Sequence, residues 1–191
     1  MPTQLSPDER STLLKIARQS LIDAAHDRPA APLPADLPPA LLEKGASFVT
    51  LTMHGQLRGC IGTLEAYQPL AQDVRQRAAQ AATQDYRFPR VRPGDVEHIH
   101  IEISRLTIPT PLPYSEPEEL PRLLRPHVDG VVLSDGRNGA TFLPQVWEQL
   151  PDPAEFLSHL CQKMGARSDL WRRKVLSVEI YQVEEFEEAR Y

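Results

Sequence analysis

The sequence predicts an α+β fold, a largely antiparallel sheet flanked by helices. Two segments carry helix start signals ahead of helical apolar spacing, others alternate apolar and polar residues at strand length, and the two kinds do not recur in βαβ order. In the first helix, "SPDE" at Ser6 to Glu9 forms a capping box with proline at the first helical position, and Leu14, Ala17, Leu21 and Ala24 follow at helical spacing. Residues 29–39 then hold Pro29, Pro32, Pro34, Pro38 and Pro39, which interrupt either regular element and predict a loop. "ASFVTLTM" and "QLRGCIG", joined across His54-Gly55, predict a hairpin.

Pro69 opens a second helix, with Leu70, Val74, Ala78 and Ala81 as its apolar stripe and Asp73, Arg75, Gln76 and Arg77 mostly outward, ending near "DYRFPR". "EHIHIEISRLTI" predicts a half-buried strand with Ile99, Ile101 and Ile103 on one face and His98, His100, Glu102 and Ser104 on the other. A helical turn is expected around Glu118 to Leu124, and "GVVLSDG" with "ATFLPQV" reads as a strand pair. Asp152 to Glu155 is a second capping box, ahead of a helix with Phe156, Leu157, Leu160, Cys161 and Met164 on one side and Gly165 as its stop. "VLSVEIYQVEEF" closes the chain as one alternating strand.

Composition bounds the function. The 191 residues, 41% hydrophobic, suffice for one core or for two closely joined subdomains. With 21 basic against 26 acidic residues the net charge is -5, and no basic stripe exists to follow a phosphate backbone, so nucleic acid is not expected as a partner. No continuous apolar run reaches the roughly 18 residues of a membrane span, and the first 25 residues lack the pattern of a secretory signal. The expectation is a soluble, cytoplasmic protein with no membrane partner. Cys60 and Cys161 are too far apart for a metal knuckle and are read as separate thiols.

The candidate chemistry centres on the hairpin. In a regular strand Arg58, Cys60 and Gly62 share a face, which makes Arg58 a neighbouring cation for a Cys60 nucleophile. With a two-residue turn at His54-Gly55, Cys60 falls on the apolar face of Val49, Leu51 and Met53, as a buried thiol. A bulge at Gly59 or Gly62 re-aims the sulfur. His54, His98 and His100 are the candidate bases. His98, His100 and Glu102 on one strand face offer a loose imidazole and carboxylate metal set, against the simpler reading of a solvated strand face; the latter is preferred, and no metal site is assigned. Glu65 reads as an exposed loop carboxylate, and "SDGRNG" lacks phosphate-loop spacing.

"LRGCIGTLEAY", "DYRFP", "IEISRL", "TFLPQVW" and "FLSHLCQKMG", in that order, resemble the AMMECR domain family, called AmmeMemoRadiSam system protein A in bacteria and archaea. The match runs over most of the chain, as a single AMMECR domain over residues 1–191. The resemblance implies an α+β fold of two subdomains meeting at a cleft, and association with a Memo-type protein and a radical SAM protein. It implies neither a reaction nor a cofactor. Carried over residue by residue, it marks Leu57, Arg58, Gly59, Cys60, Ile61 and Gly62, then Arg87, Phe88 and Pro89, then Leu143 and Pro144.

Three functions follow. In the first, Cys60, Arg58 and His100 act on a small molecule bound by Gly59, Gly62, Arg87 and Glu102; Arg58 and Arg87 are read either as paired guanidiniums for an anion or, equally, as each bound to a backbone carbonyl or to a carboxylate such as Glu102. In the second, the protein is a non-catalytic docking partner of the metal-dependent proteins. In the third, "LRGCIG" is architectural.

Overall fold

The computed structural model describes residues 4–189. The chain divides into two compact units: one runs to Leu106 and takes in the C-terminal segment from Glu184, the other is Thr107–Val183. The class is α+β with antiparallel sheets, as the sequence predicts.

The first unit opens with α1 (Pro7–Ala25), whose Ser6 cap and Glu9 bond reciprocally as a capping box. Its inward stripe is Leu13, Ile16, Ala17 and Leu21, so Leu14 and Ala24 sit at the margin of the buried face. The proline-rich loop leads through a single turn, α2 (Pro39–Leu42), to β1 (Lys44–Met53), β2 (Gln56–Gly62) and the short β3 (Gln68–Pro69). Then come α3 (Leu70–Thr83), a 3-10 turn over Pro93–His98, and β4 (Ile99–Leu106). The strand order is β2-β1-β4, completed at the far edge by the last strand of the chain, with β3 also on β1. Val49, Leu51, Ile101 and Ile103 are fully buried against α1 and α3, and each such side chain contributes about 1.5–3 kcal/mol.

The predicted outward face of α3 is only partly outward. Asp73 is fully buried and Arg77 nearly so. The Asp73 carboxylate accepts from the Ser47 N–H (2.9 Å) and hydroxyl (2.7 Å), from the Gln68 amide (3.0 Å) and from Arg77 (3.1 Å). This network joins α3 to β1 and holds the segment before the helix, a tertiary demand that helical periodicity does not encode.

The second unit contains β5 (Thr110–Pro111), α4 (Leu120–Leu123), β6 (Gly130–Ser134), β7 (Gly139–Phe142), α5 (Pro153–Lys163), α6 (Leu170–Arg173) and β8 (Ser177–Tyr181), with sheet order β5-β8-β6-β7. Its core is built on Trp147 stacked on Phe156 at 3.7 Å, with Leu120, Leu133 and Leu157 fully buried. Asp152 caps α5 by accepting from the Ala154 and Glu155 N–H groups, and Gly165, at φ +82°, ends it. Cys161 lies in this core, where burial pushes its thiol up.

The closing segment is two strands, not one. β8 ends at Tyr181, and β9 (Val183–Glu187) pairs with β4 in the first sheet. Gln182 makes the break: its N–H donates to the Thr107 hydroxyl, its carbonyl accepts from the Thr107 N–H, and its amide donates to Asp129.

Replacing Asp73 with alanine leaves Arg77 buried without its carboxylate. Urea titration of Asp73→Ala is expected to show a loss of about 3–5 kcal/mol, the cost of breaking a buried ion pair from one side.

Candidate functional site

The hairpin turn has the two residues expected, His54 and Gly55, both with positive φ, as a primed turn requires. Met53 faces Gln56 and Thr52 faces Leu57, but Leu51 faces Gly59. Arg58 is therefore the extra residue of a β-bulge. The slip moves Cys60 opposite Thr50 instead of Val49, which transfers the sulfur from the core face to the opposite face of the sheet. The buried thiol expected from an unbulged hairpin is thus corrected: Cys60 is half-buried, and its sulfur accepts a hydrogen bond from the Thr50 hydroxyl at 3.4 Å.

The glycines have packing reasons. A Cβ on Gly59 would lie 2.3 Å from the Ala81 carbonyl oxygen, because α3 crosses β2 there; one on Gly62 would lie 2.2 Å from the ring of Phe48, its cross-strand partner. Neither position admits a side chain without backbone or ring movement.

β2 is an edge strand, and Cys60 turns its own peptide groups outward. Both are satisfied by side chains of the segment after α3. The Cys60 N–H donates to Asp85 at 2.9 Å, and the Cys60 carbonyl accepts from Arg87 at 3.2 Å. Asp85 and Arg87 are themselves paired at 2.7 Å, so a carboxylate and a guanidinium together mimic a neighbouring strand. Asp85 is buried, while Arg87 is nearly half exposed. The Arg87 hydrogen bond, with the Cys60 and Arg87 N–H groups, holds the Asp85 carboxyl well below the usual carboxylate range, against the opposing effect of burial. The hydrogen bond to Asp85 raises Arg87 above its ordinary value, against the opposing effect of burial.

Arg58 is not turned to the sulfur. Its guanidinium donates to the Pro89 and Arg90 carbonyls and pairs with Asp95 at 3.6 Å, so the bulged residue ties the hairpin to the loop beyond α3. The two arginines of the hallmark therefore do not form a paired anion fork: Arg58 holds the loop, and Arg87 holds the Cys60 peptide.

His100 and Glu102 do lie on the face that carries Cys60. Glu102 is opposite Thr50, so Cys60, Thr50 and Glu102 form one cross-strand row; His100, opposite Thr52, is in the next. His100 stands two strands from Cys60, about 10 Å across the backbone. Its Nε2 is 3.0 Å from Glu187 on β9, on the side away from β2. The structure thus does not bring His100 and Cys60 within the roughly 3 Å needed for direct proton transfer. His98 belongs to the 3-10 turn instead of the strand, where its ring packs near that of His54 at 5.3 Å, so the expected His98-His100-Glu102 alignment is lost. Among the described residues, no three His, Cys, Asp or Glu side chains converge as a metal-ligand set. No helix is long and apolar enough to cross a membrane, again among the described residues.

Sequence reasoning missed Asp85 and Thr50. The spacing of an acid and a base two apart in "DYRFP" carries the signal for Asp85, whereas Thr50 acquires its role only through the bulge.

An α+β protein with two antiparallel sheets and a clamped cysteine on a bulged edge strand is the class that these features define. The chain belongs to the AMMECR1 family, whose profile matches residues 14–186. It is similar to a protein of Thermofilum pendens, 37% identical over 97% of this chain and 92% of that one, and to one of Methanothermobacter thermautotrophicus, 38% identical over 96% of each. The crystal structure of the uncharacterised protein PH0010 from Pyrococcus horikoshii superposes with a TM-score of 0.83 at 32% identity, covering 96% of this chain and 93% of that one.

Two outcomes test the clamp. Gly59→Ala forces its new methyl against the Ala81 carbonyl and is expected to lower stability by more than about 2 kcal/mol in denaturant titration. Because Asp85 is depressed in the folded state, its contribution is present above the unfolded carboxyl value of about 4 and is lost as pH falls below it. The stability gap between wild type and Asp85→Asn should be about 1.5–3 kcal/mol at pH 7 and shrink steadily as the medium is acidified below pH 4.

Proposed function

We propose that this AMMECR1-family chain is a small thiol-dependent enzyme, with Cys60 as its nucleophile toward a small molecule. The observation that carries the reading is the bulge at Arg58, which delivers the sulfur to the polar sheet face beside the Thr50 hydroxyl. Beside the sulfur stands a hydroxyl donor, Thr50, and the carbonyl of Cys60 is held by the Arg87 guanidinium; hydroxyl donors and neighbouring cations are the groups that activate a thiol nucleophile. The Asp85–Arg87 clamp fixes the Cys60 peptide, so the thiol is presented from a rigid edge and not a mobile loop. Arg58 acts as a positioning residue. His100 is too far across the sheet to serve as the direct base, so the reading assigns it no proton-transfer step with the Cys60 thiol.

A second reading is docking onto Memo-type and radical SAM proteins, and one feature favours it. Tyr86, between the two clamp residues, is 95% exposed, an aromatic side chain held outward by neighbours that are themselves fixed. Co-purification with those partners that is lost in Tyr86→Ala would support this reading; no association under any redox condition would remove it.

The enzymatic reading is tested by iodoacetamide labelling followed by mass spectrometry, with Cys161 as the internal buried reference. Cys60 is expected to react faster in the native chain at neutral pH than in urea, Cys161 slower, and Arg87→Met should slow Cys60 alone. Native labelling of Cys60 no faster than in the unfolded chain sinks the proposal.

A further inference from the structure

A second place in the first unit, built from other residues, has the form of a small-molecule site. Between α1 and the proline-rich loop lies a cavity of about 370 Å³, within the size range of ligand pockets. Its apolar wall comes from Ile16 on α1 and from Pro32, Leu33, Pro34, Leu37 and Pro38 on the loop.

The cavity is held open. The loop is pinned at Ala31, whose N–H donates to Asp23 at 2.9 Å and whose carbonyl accepts from Arg75 at 2.9 Å. It is pinned again where Leu37 and Leu41 enter the core. Between these anchors Pro32 and Pro34 restrict the backbone, so the intervening residues resist collapse onto α1. The lining polar groups at the anchor already have partners: Asp23 also accepts from Gln19 at 2.9 Å, Arg75 also donates to Gln72 at 2.6 Å, and the Ser20 hydroxyl donates to the Arg75 carbonyl at 2.6 Å.

Two lining charges differ. Lys15 on α1 and Asp36 on the loop have neither a hydrogen bond nor an ion pair among the described residues, and they do not pair with each other. Both are solvent-exposed and so stand at the open rim, one on each side; opposite charges at the rim of an apolar cavity complement a molecule that carries both an anionic and a cationic group on an apolar body. From this we infer that the cavity binds a short apolar zwitterion of dipeptide size, its carboxylate at Lys15 and its ammonium at Asp36. The site shares no residue with the Cys60 clamp, so the inference stands independently of the thiol reading.

Isothermal titration calorimetry with leucylleucine tests it. Saturable one-to-one binding is expected. N-acetyl-leucylleucine, which lacks the ammonium, and leucylleucine amide, which lacks the carboxylate, should each bind roughly tenfold more weakly, the scale of one charge-assisted hydrogen bond. Lys15→Ala and Asp36→Asn should weaken leucylleucine by a similar factor, whereas the exchanged pair Lys15→Asp with Asp36→Lys should recover binding. Leu33→Trp, on the partly exposed loop wall, should fill the cavity and abolish binding while the melting temperature is unchanged or raised. Absence of saturable binding at millimolar peptide, equal affinity for the free and blocked peptides, or binding that survives Leu33→Trp in a folded protein would each overturn the inference.

Discussion

The peptide of Cys60 sits on an open sheet edge, and the Asp85 carboxylate with the Arg87 guanidinium closes that edge at one residue. An unpaired strand edge invites association with another chain, and backbone groups that leave water must find partners. Here the partner is a side-chain pair whose own attraction keeps acceptor and donor in register. The same device recurs at Ala31, where Asp23 accepts from the N–H and Arg75 donates to the carbonyl. In both places a loop and a regular element are joined through the N–H and carbonyl of one residue. Carboxylate and guanidinium suit this task because one accepts, the other donates, and charge strengthens each bond.

Everything at the hairpin follows from how closely α3 approaches it. The Ala81 carbonyl occupies the space where a side chain at residue 59 would stand, so the strand must be glycine there. The bulge beside it leaves Arg58 outside the ladder, free to reach the Pro89 and Arg90 carbonyls and Asp95. Loop and hairpin are thereby fastened at three points, by Arg58, Asp85 and Arg87. The half-buried position of the Cys60 side chain on the polar sheet face accompanies that fastening.

The second unit uses a comparable internal anchor without an exposed thiol. Asp129 is fully buried, pairs with Arg125 at 2.6 Å, accepts from Gln182 at 3.0 Å, and offers its carbonyl to the Trp147 indole at 2.7 Å. Burial pushes its carboxyl up, but the Arg125 guanidinium and N–H and the Gln182 amide together outweigh that and hold it below the ordinary value. Gly130, next in the chain, lies beneath the ring of Tyr181, as Gly62 lies beneath Phe48. Burial pushes the Tyr181 hydroxyl up to about 12, and that hydroxyl donates to the Phe142 carbonyl.

The sequence by itself determined the α+β class, the helix start at Ser6, the helix beginning at Asp152, the hairpin turn at His54-Gly55 and the core position of Cys161. Each is encoded within a few residues, through capping chemistry, turn conformation or apolar period. Only the tertiary structure decided which face Cys60 takes, since one extra residue in the strand reverses parity, at a place where a helix from elsewhere in the chain packs against Gly59. It likewise decided that Asp73 and Arg77 turn inward, that His98 leaves the strand, and that the closing segment divides at Gln182 between two sheets. Those outcomes depend on partners distant in sequence, and local periodicity holds no record of them.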